Sequence, residues 1–156
     1  MQRTLRNLGS LLLLSCVAFT GISCGDVFGI GEEDDLEEAQ RRWARQGPPS
    51  YTYVFARSCF CGSETTRPVR VTVVNRVVVA RQYVDNGNPV PDQWTSYFPA
   101  MEGVFQIVYD AIHRDADEVS ATYDGRLGYP LVVEIDYVRN AIDDELNLSV
   151  TEVRER

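Results

Sequence analysis

The sequence predicts an α+β domain: an antiparallel sheet of about six strands with two helices, in the order helix, three strands, helix, three strands. Three observations predict it. Two stretches, 36–46 and 99–113, carry apolar residues at helical spacing. Short runs of period-two alternation, rich in Val, Tyr and Thr, fill much of the rest. These runs come in consecutive groups joined by short turns, which favours antiparallel meanders over βαβ crossovers.

Each element has a local reason. Asp35 suits the N-cap of the first helix. Leu36, Ala39 and Trp43 form its apolar stripe, and Glu37–Arg41 and Glu38–Arg42 are i,i+4 pairs in the favourable order. Gly47-Pro48-Pro49 ends it. In the first strand Tyr51, Tyr53 and Phe55 alternate with Thr52, Val54 and Ala56. Pro68–Val74 and Val77–Ala80 form a hairpin around Asn75-Arg76, because Asn tolerates the left-handed backbone that a two-residue turn needs. Residues 85–99 are irregular, with Asn86-Gly87-Asn88-Pro89 and Pro91-Asp92 as turn chemistry. The second helix takes Pro99 in its first turn and buries Met101, Val104, Phe105, Val108 and Ile112. Strands follow at about 118–123, 131–137 and 146–153, with Asp124 to Pro130 joining the first two. The order of elements hints at a duplicated helix-plus-meander unit.

The start of the chain has a different grammar. Arg3 and Arg6 precede an apolar run from Leu8 to Ile22, then Ser23 and Cys24. That is the order of an export signal with an attached lipid. Gly9, Ser10, Ser15, Thr20 and Gly21 dilute the run for a membrane span, which needs about 20 apolar residues. Residues 1–23 therefore read as a cleaved signal peptide, 24–35 as a flexible acidic tether, and 36–156 as a single domain. Gly21-Ile22-Ser23-Cys24 resembles a bacterial lipobox, with Gly21 where Leu is usual. Leu13-Leu14-Ser15-Cys16 is the competing site. Cleavage there would halve the apolar run and leave Val17-Ala18-Phe19 on the mature chain, so Cys24 is the expected acylation site. Two or more acyl chains, at about 0.8 kcal/mol per buried CH₂, hold a membrane stably. The expected location is a bacterial membrane, facing the periplasm or the cell exterior.

The formal net charge is −8, and loss of Arg3 and Arg6 makes the exported part more negative still. An acidic surface argues against nucleic acid and anionic lipid headgroups as partners. Of the four cysteines, Cys16 leaves with the signal and Cys24 carries lipid, so Cys59 and Cys61 remain. In an oxidising compartment thiols this close are expected to pair. A regular strand spaces residues two apart by roughly 6.6 Å at Cα with parallel Cβ vectors, which misses disulfide geometry. The pair therefore requires a turn at Cys59-Phe60-Cys61, which Gly62 can assist.

Catalytic and metal sets are poor. The chain has one histidine, His113, which reads as a polar cap in the last turn of its helix. Zinc wants four nitrogen or sulfur ligands. Asp136, Asp143, Asp144 and Glu145 offer oxygens without EF-hand spacing and read as a solvated acidic loop. No Gly-x-Ser-x-Gly run or phosphate-cradling glycine loop occurs. No enzyme activity, cofactor or metal is expected. Trp94 and Tyr97 in the irregular connector are candidate contact residues. Asp124 is a candidate for closing a turn through its carboxylate, and Tyr129-Pro130 for fixing the same turn, a place where a cis bond can occur.

These residues together carry a resemblance. Trp43, Tyr51-x-Tyr53, Cys59-Phe60-Cys61, Tyr123-Asp124 with Gly128-Tyr129-Pro130, Ile135-Asp136 and Asp143-Asp144-Glu145 resemble an uncharacterised bacterial lipoprotein family, a domain of unknown function. The resemblance spans about Leu36 to Val153. It implies an exported, membrane-anchored domain and no activity. The expected function is a non-catalytic binding module, with an envelope protein as its partner and the membrane reached through the lipid. The alternatives are a thiol–disulfide component using Cys59 and Cys61, or an inhibitor-like envelope protein.

Overall fold

The computed structural model describes residues 30–156, apart from 115, 140 and 142. The expected signal peptide, Cys16, Cys24 and the first half of the expected tether lie outside the described residues. The elements in chain order are α1 (Ile30–Gln46), β1 (Tyr51–Ser58), α2 (Ser63–Thr66), β2 (Val69–Val74), β3 (Val77–Tyr83), a 3₁₀ turn (Asp92–Tyr97), α3 (Met101–His113), β4 (Glu118–Tyr123), β5 (Pro130–Asp136) and β6 (Glu145–Glu155). The six strands form one antiparallel sheet in the order β3-β2-β1-β6-β5-β4. The α+β class and the six-stranded sheet agree with the sequence expectation.

Four details differ. α1 begins at Ile30, so the acidic residues before Leu36 belong to the helix, and Asp35 is not its cap. Glu32 and Glu33 occupy the first turn, where carboxylates offset the positive end of the helix dipole. Two short helical pieces, α2 and the 3₁₀ turn, lie in segments too short to show periodicity. α3 starts at Met101, with Pro99 outside it. The duplicated unit is absent from the architecture. β1 and β4, which a repeat would make equivalent, run in opposite directions, one at the centre of the sheet and one at its edge.

The core lies on one face of the sheet. Tyr51, Tyr53 and Phe55 on β1, Val69, Val71 and Val73 on β2, Val133 and Ile135 on β5, and Leu148 and Val150 on β6 are all buried. The ladder aligns them: Tyr53 faces Val71, Phe55 faces Val69 and Val150, and Val133 faces Leu148. Leu36, Ala39 and Trp43 of α1, and Met101, Val104, Phe105, Val108 and Ala111 of α3, cover this face. The two helices run antiparallel. Trp43 Nε1 donates to Glu102 Oε1 at 3.3 Å near one end, and His113 Nε2 stands 3.4 Å from Glu33 Oε1 near the other.

The start of α3 is held by the strand beneath it. Its N-cap residue, Ala100, has no side-chain cap. The Met101 N–H instead donates to the Tyr51 hydroxyl at 3.0 Å. The Tyr53 hydroxyl donates to the Pro99 carbonyl. Tyr51 thus satisfies one of the N–H groups that a helix start otherwise leaves open, and Tyr53 ties down the residue before the N-cap. The β2–β3 hairpin turns at Asn75 and Arg76, with φ of 50° and 65°, the left-handed pair that a two-residue turn requires.

Candidate functional site

The expected site residues divide between opposite ends of the sheet. Cys59, Cys61 and Tyr97 lie at the C-terminal end of β1. Asp124 and Tyr129 lie in the β4–β5 turn, at the other end. No single site gathers them.

At the C-terminal end of β1 the chain makes the turn that the Cys-x-Cys spacing demands. The Cys61 N–H donates to the Cys59 carbonyl at 2.7 Å, a three-residue turn that brings the two Cα atoms to 5.2 Å and the sulfurs together as a disulfide. Phe60 at its tip is 80 % exposed. The turn is secured beyond Gly62 by α2, where Thr65 bonds the Gly62 carbonyl through both its N–H, at 3.0 Å, and its hydroxyl, at 2.8 Å. α2 is tied in turn to β3: the Tyr83 hydroxyl donates to Glu64 Oε2 at 2.9 Å, and Arg67 pairs with Asp85 at 2.6 Å while lying over the Tyr83 ring.

The alternation that buries Tyr51, Tyr53 and Phe55 sends the next residue in phase, Arg57, toward the same face. Its side chain is half-buried, and its Nε is enclosed without a hydrogen-bond partner. The guanidinium lies 5.2 Å from the centre of the Tyr97 ring. Burial lowers its pKa from the ordinary value, opposed by the phenols of Tyr97 and Tyr137. Arg57 was not among the candidate site residues read from the sequence. The available signal was its position: a charge on the inward register of a central strand.

Trp94 and Tyr97 share the 3₁₀ turn, with ring centres 5.8 Å apart. Trp94 packs against the core, as a residue closing over the core edge does. Tyr97 is the more open of the two and reaches Arg57.

Asp124 and Tyr129 have scaffold roles. Asp124 Oδ1 accepts from the N–H groups of Arg126 at 3.0 Å and Leu127 at 2.6 Å, and its backbone pairs with Tyr129. Tyr129 meets the edge of Trp43 at 6.2 Å between ring centres, and burial raises its pKa. Its bond to Pro130 is trans. Gly128 is at φ 87°, and a Cβ there would stand 2.5 Å from the Ala39 carbonyl oxygen. The turn therefore depends on glycine to seat against α1.

The outer face of β4, β5 and β6 carries a shallow cleft of about 130 Å³ between Glu118, Ser120, Glu134, Asp136, Glu145 and Asn147. Among the described residues no group of three His, Cys, Asp or Glu side chains could hold a metal ion, and no helix is long and apolar enough to cross a membrane. His113 Nδ1 lies 2.9 Å from the Tyr109 carbonyl, and its ring stacks on Tyr109. It caps the end of α3.

No curated protein and no solved structure matches this chain. A family model does match it, over residues 35–155, which takes in β1 to β6 and α1 from Asp35 onward. The chain belongs to the family of unknown function DUF6174.

Proposed function

We propose that this chain is an exported bacterial cell-envelope lipoprotein, anchored through Cys24, whose domain is a non-catalytic binding module for an envelope protein. The order of charge, apolar run, Ser23 and Cys24 supports export and anchoring. The observation that carries the binding role is Phe60, a large apolar side chain 80 % exposed on a backbone fixed by the Cys59–Cys61 turn and by α2. A backbone already held in place loses little conformational freedom when a partner covers the side chain it carries. Exposed aromatics on a rigid support are common anchors of interfaces.

The test is capture from envelope extracts by the wild-type chain and by Phe60→Ala side by side. The binding role predicts one protein retained by the wild type and lost with Phe60→Ala at unchanged thermal stability. Equal capture by both, or turnover of a substrate by the isolated chain, would overturn it.

A second reading, a thiol–disulfide component, draws on the exposure of Cys61 beside the paired Cys59. A partner dithiol would reduce the pair, passing two electrons and two protons and leaving with its own disulfide. Titration of the thiols against dithiothreitol separates the readings. A pair that stays oxidised under strong reductant, or one that never oxidises, removes the redox role.

A further inference from the structure

Five of the described arginines are half-buried: Arg42, Arg57, Arg67, Arg70 and Arg81. Four are satisfied. Arg42 bonds Glu38 and the Gly125 carbonyl, Arg67 pairs with Asp85, Arg70 pairs with Glu152, and Arg81 donates to the Phe98 carbonyl. Arg57 alone among them pairs with no carboxylate or carbonyl of the described residues. A guanidinium taken partly out of water without a partner opposes folding. A tolerated cost of that kind, at an exposed end of the sheet, calls for a benefit elsewhere.

The surroundings define that benefit. Arg57 Nε is enclosed while the side chain as a whole is only half-buried, so the edge of the guanidinium left to meet a ligand is the one that carries the two Nη groups. That edge carries two parallel N–H donors at the spacing of two carboxylate oxygens. The Tyr97 ring centre lies 5.2 Å from the guanidinium, and Tyr137 is near enough for its phenol to act on the charge; they are 36 % and 38 % exposed, each offering an apolar ring face and a hydroxyl. The formal charge of −8 weighs against a dianion and favours a single negative charge.

We propose that Arg57, flanked by Tyr97 and Tyr137, is a receptor for a carboxylate carried next to an apolar or aromatic group of the ligand. The proposal rests on the binding-module reading and names the chemistry its partner brings. Arg57 forks onto the two carboxylate oxygens, and the tyrosine rings cover the adjoining apolar group.

The experiment is titration of the ¹⁵N-labelled full chain in detergent with 3-phenylpropionate, following the Arg57 Nε–Hε resonance. The neutral 3-phenylpropanamide and inorganic phosphate are the comparison ligands. The expected result is a saturable shift with 3-phenylpropionate, none with the amide, and a weaker response to phosphate. Arg57→Gln should weaken 3-phenylpropionate binding at least tenfold while leaving the melting temperature unchanged or raised. Arg57→Lys, which keeps the charge and loses the fork, should also bind weakly. A purely structural arginine would instead lower the melting temperature on substitution. Equal binding of the amide, tighter binding of phosphate, or full binding by Arg57→Gln overturns the proposal. So does an Arg57 resonance moved by Asp144→Asn alone, since the enclosed Asp144 carboxylate would then be its internal partner. If Phe60-dependent capture succeeds while 3-phenylpropionate leaves Arg57 unmoved, this site fails and the binding module stands. If 3-phenylpropionate binds and capture fails, the reverse holds.

Discussion

Tyr51→Phe and Tyr123→Phe remove the same atom from two enclosed positions, and only the first should lower stability. The Tyr51 hydroxyl accepts the Met101 N–H at 3.0 Å, where α3 has no side-chain cap of its own. Removing it deletes a hydrogen bond and strands a buried donor at the helix start. A lost bond of this kind costs about 0.5–1.5 kcal/mol, and an unsatisfied buried donor raises the cost toward 1–3 kcal/mol. We expect about 1–2 kcal/mol, which for a domain of this size is roughly 4–8 °C in melting temperature. The Tyr123 hydroxyl is enclosed with no partner. Its removal relieves a buried polar group and should leave stability unchanged or raise it by up to about 1 kcal/mol. Thermal and urea unfolding followed by circular dichroism measures both. Equal loss in the two variants would refute the reasoning, because hydrogen bonding would then not be what separates the two phenols.

High pH should unfold the protein through the same side chains. Burial lifts Tyr51 and Tyr123 to about 12, from an ordinary value of 10.0, and raises Tyr53 further. A raised folded pKa contributes stability that is complete below pH 10 and lost as pH climbs through 12; urea midpoints measured from pH 9 to 12 should fall, and less steeply in Tyr123→Phe. Gly128→Ala should cost about 2–4 kcal/mol in unfolding free energy, since it combines left-handed strain at φ 87° with a Cβ placed 2.5 Å from the Ala39 oxygen. Cys59→Ser with Cys61→Ser should cost about 1.5 kcal/mol or less, because the closed loop is only three residues long and little unfolded-state entropy is removed by closing it. Differential scanning calorimetry under oxidising conditions reads that effect.

Much of this fold was legible because its signals are local. Strand alternation placed Tyr51, Tyr53 and Phe55 on the core face, and the Asn75-Arg76 turn followed from residue chemistry. The Asp124 turn was legible for the same reason. What escaped depends on partners distant in sequence. Tyr51 and Tyr53 read as core aromatics, and nothing local shows that their hydroxyls secure a helix start some fifty residues away. The start of α1 was missed because its acidic first turns lack an apolar stripe. The order of the strands also lay beyond reach, since the β1–β6 pairing that closes the sheet joins its first strand to its last. Trp94 and Tyr97 looked alike in sequence. Only the packing of the 3₁₀ turn separates a residue leaning on the core from one resting over Arg57.

The proposed role depends first on export and attachment, and intact mass spectrometry of the protein recovered from host membranes tests that most directly. The account predicts a chain beginning at Cys24, carrying acyl mass and lighter by two hydrogens for an oxidised Cys59–Cys61 pair. A polypeptide that retains Met1, without lipid and with free thiols at Cys59 and Cys61, would contradict it.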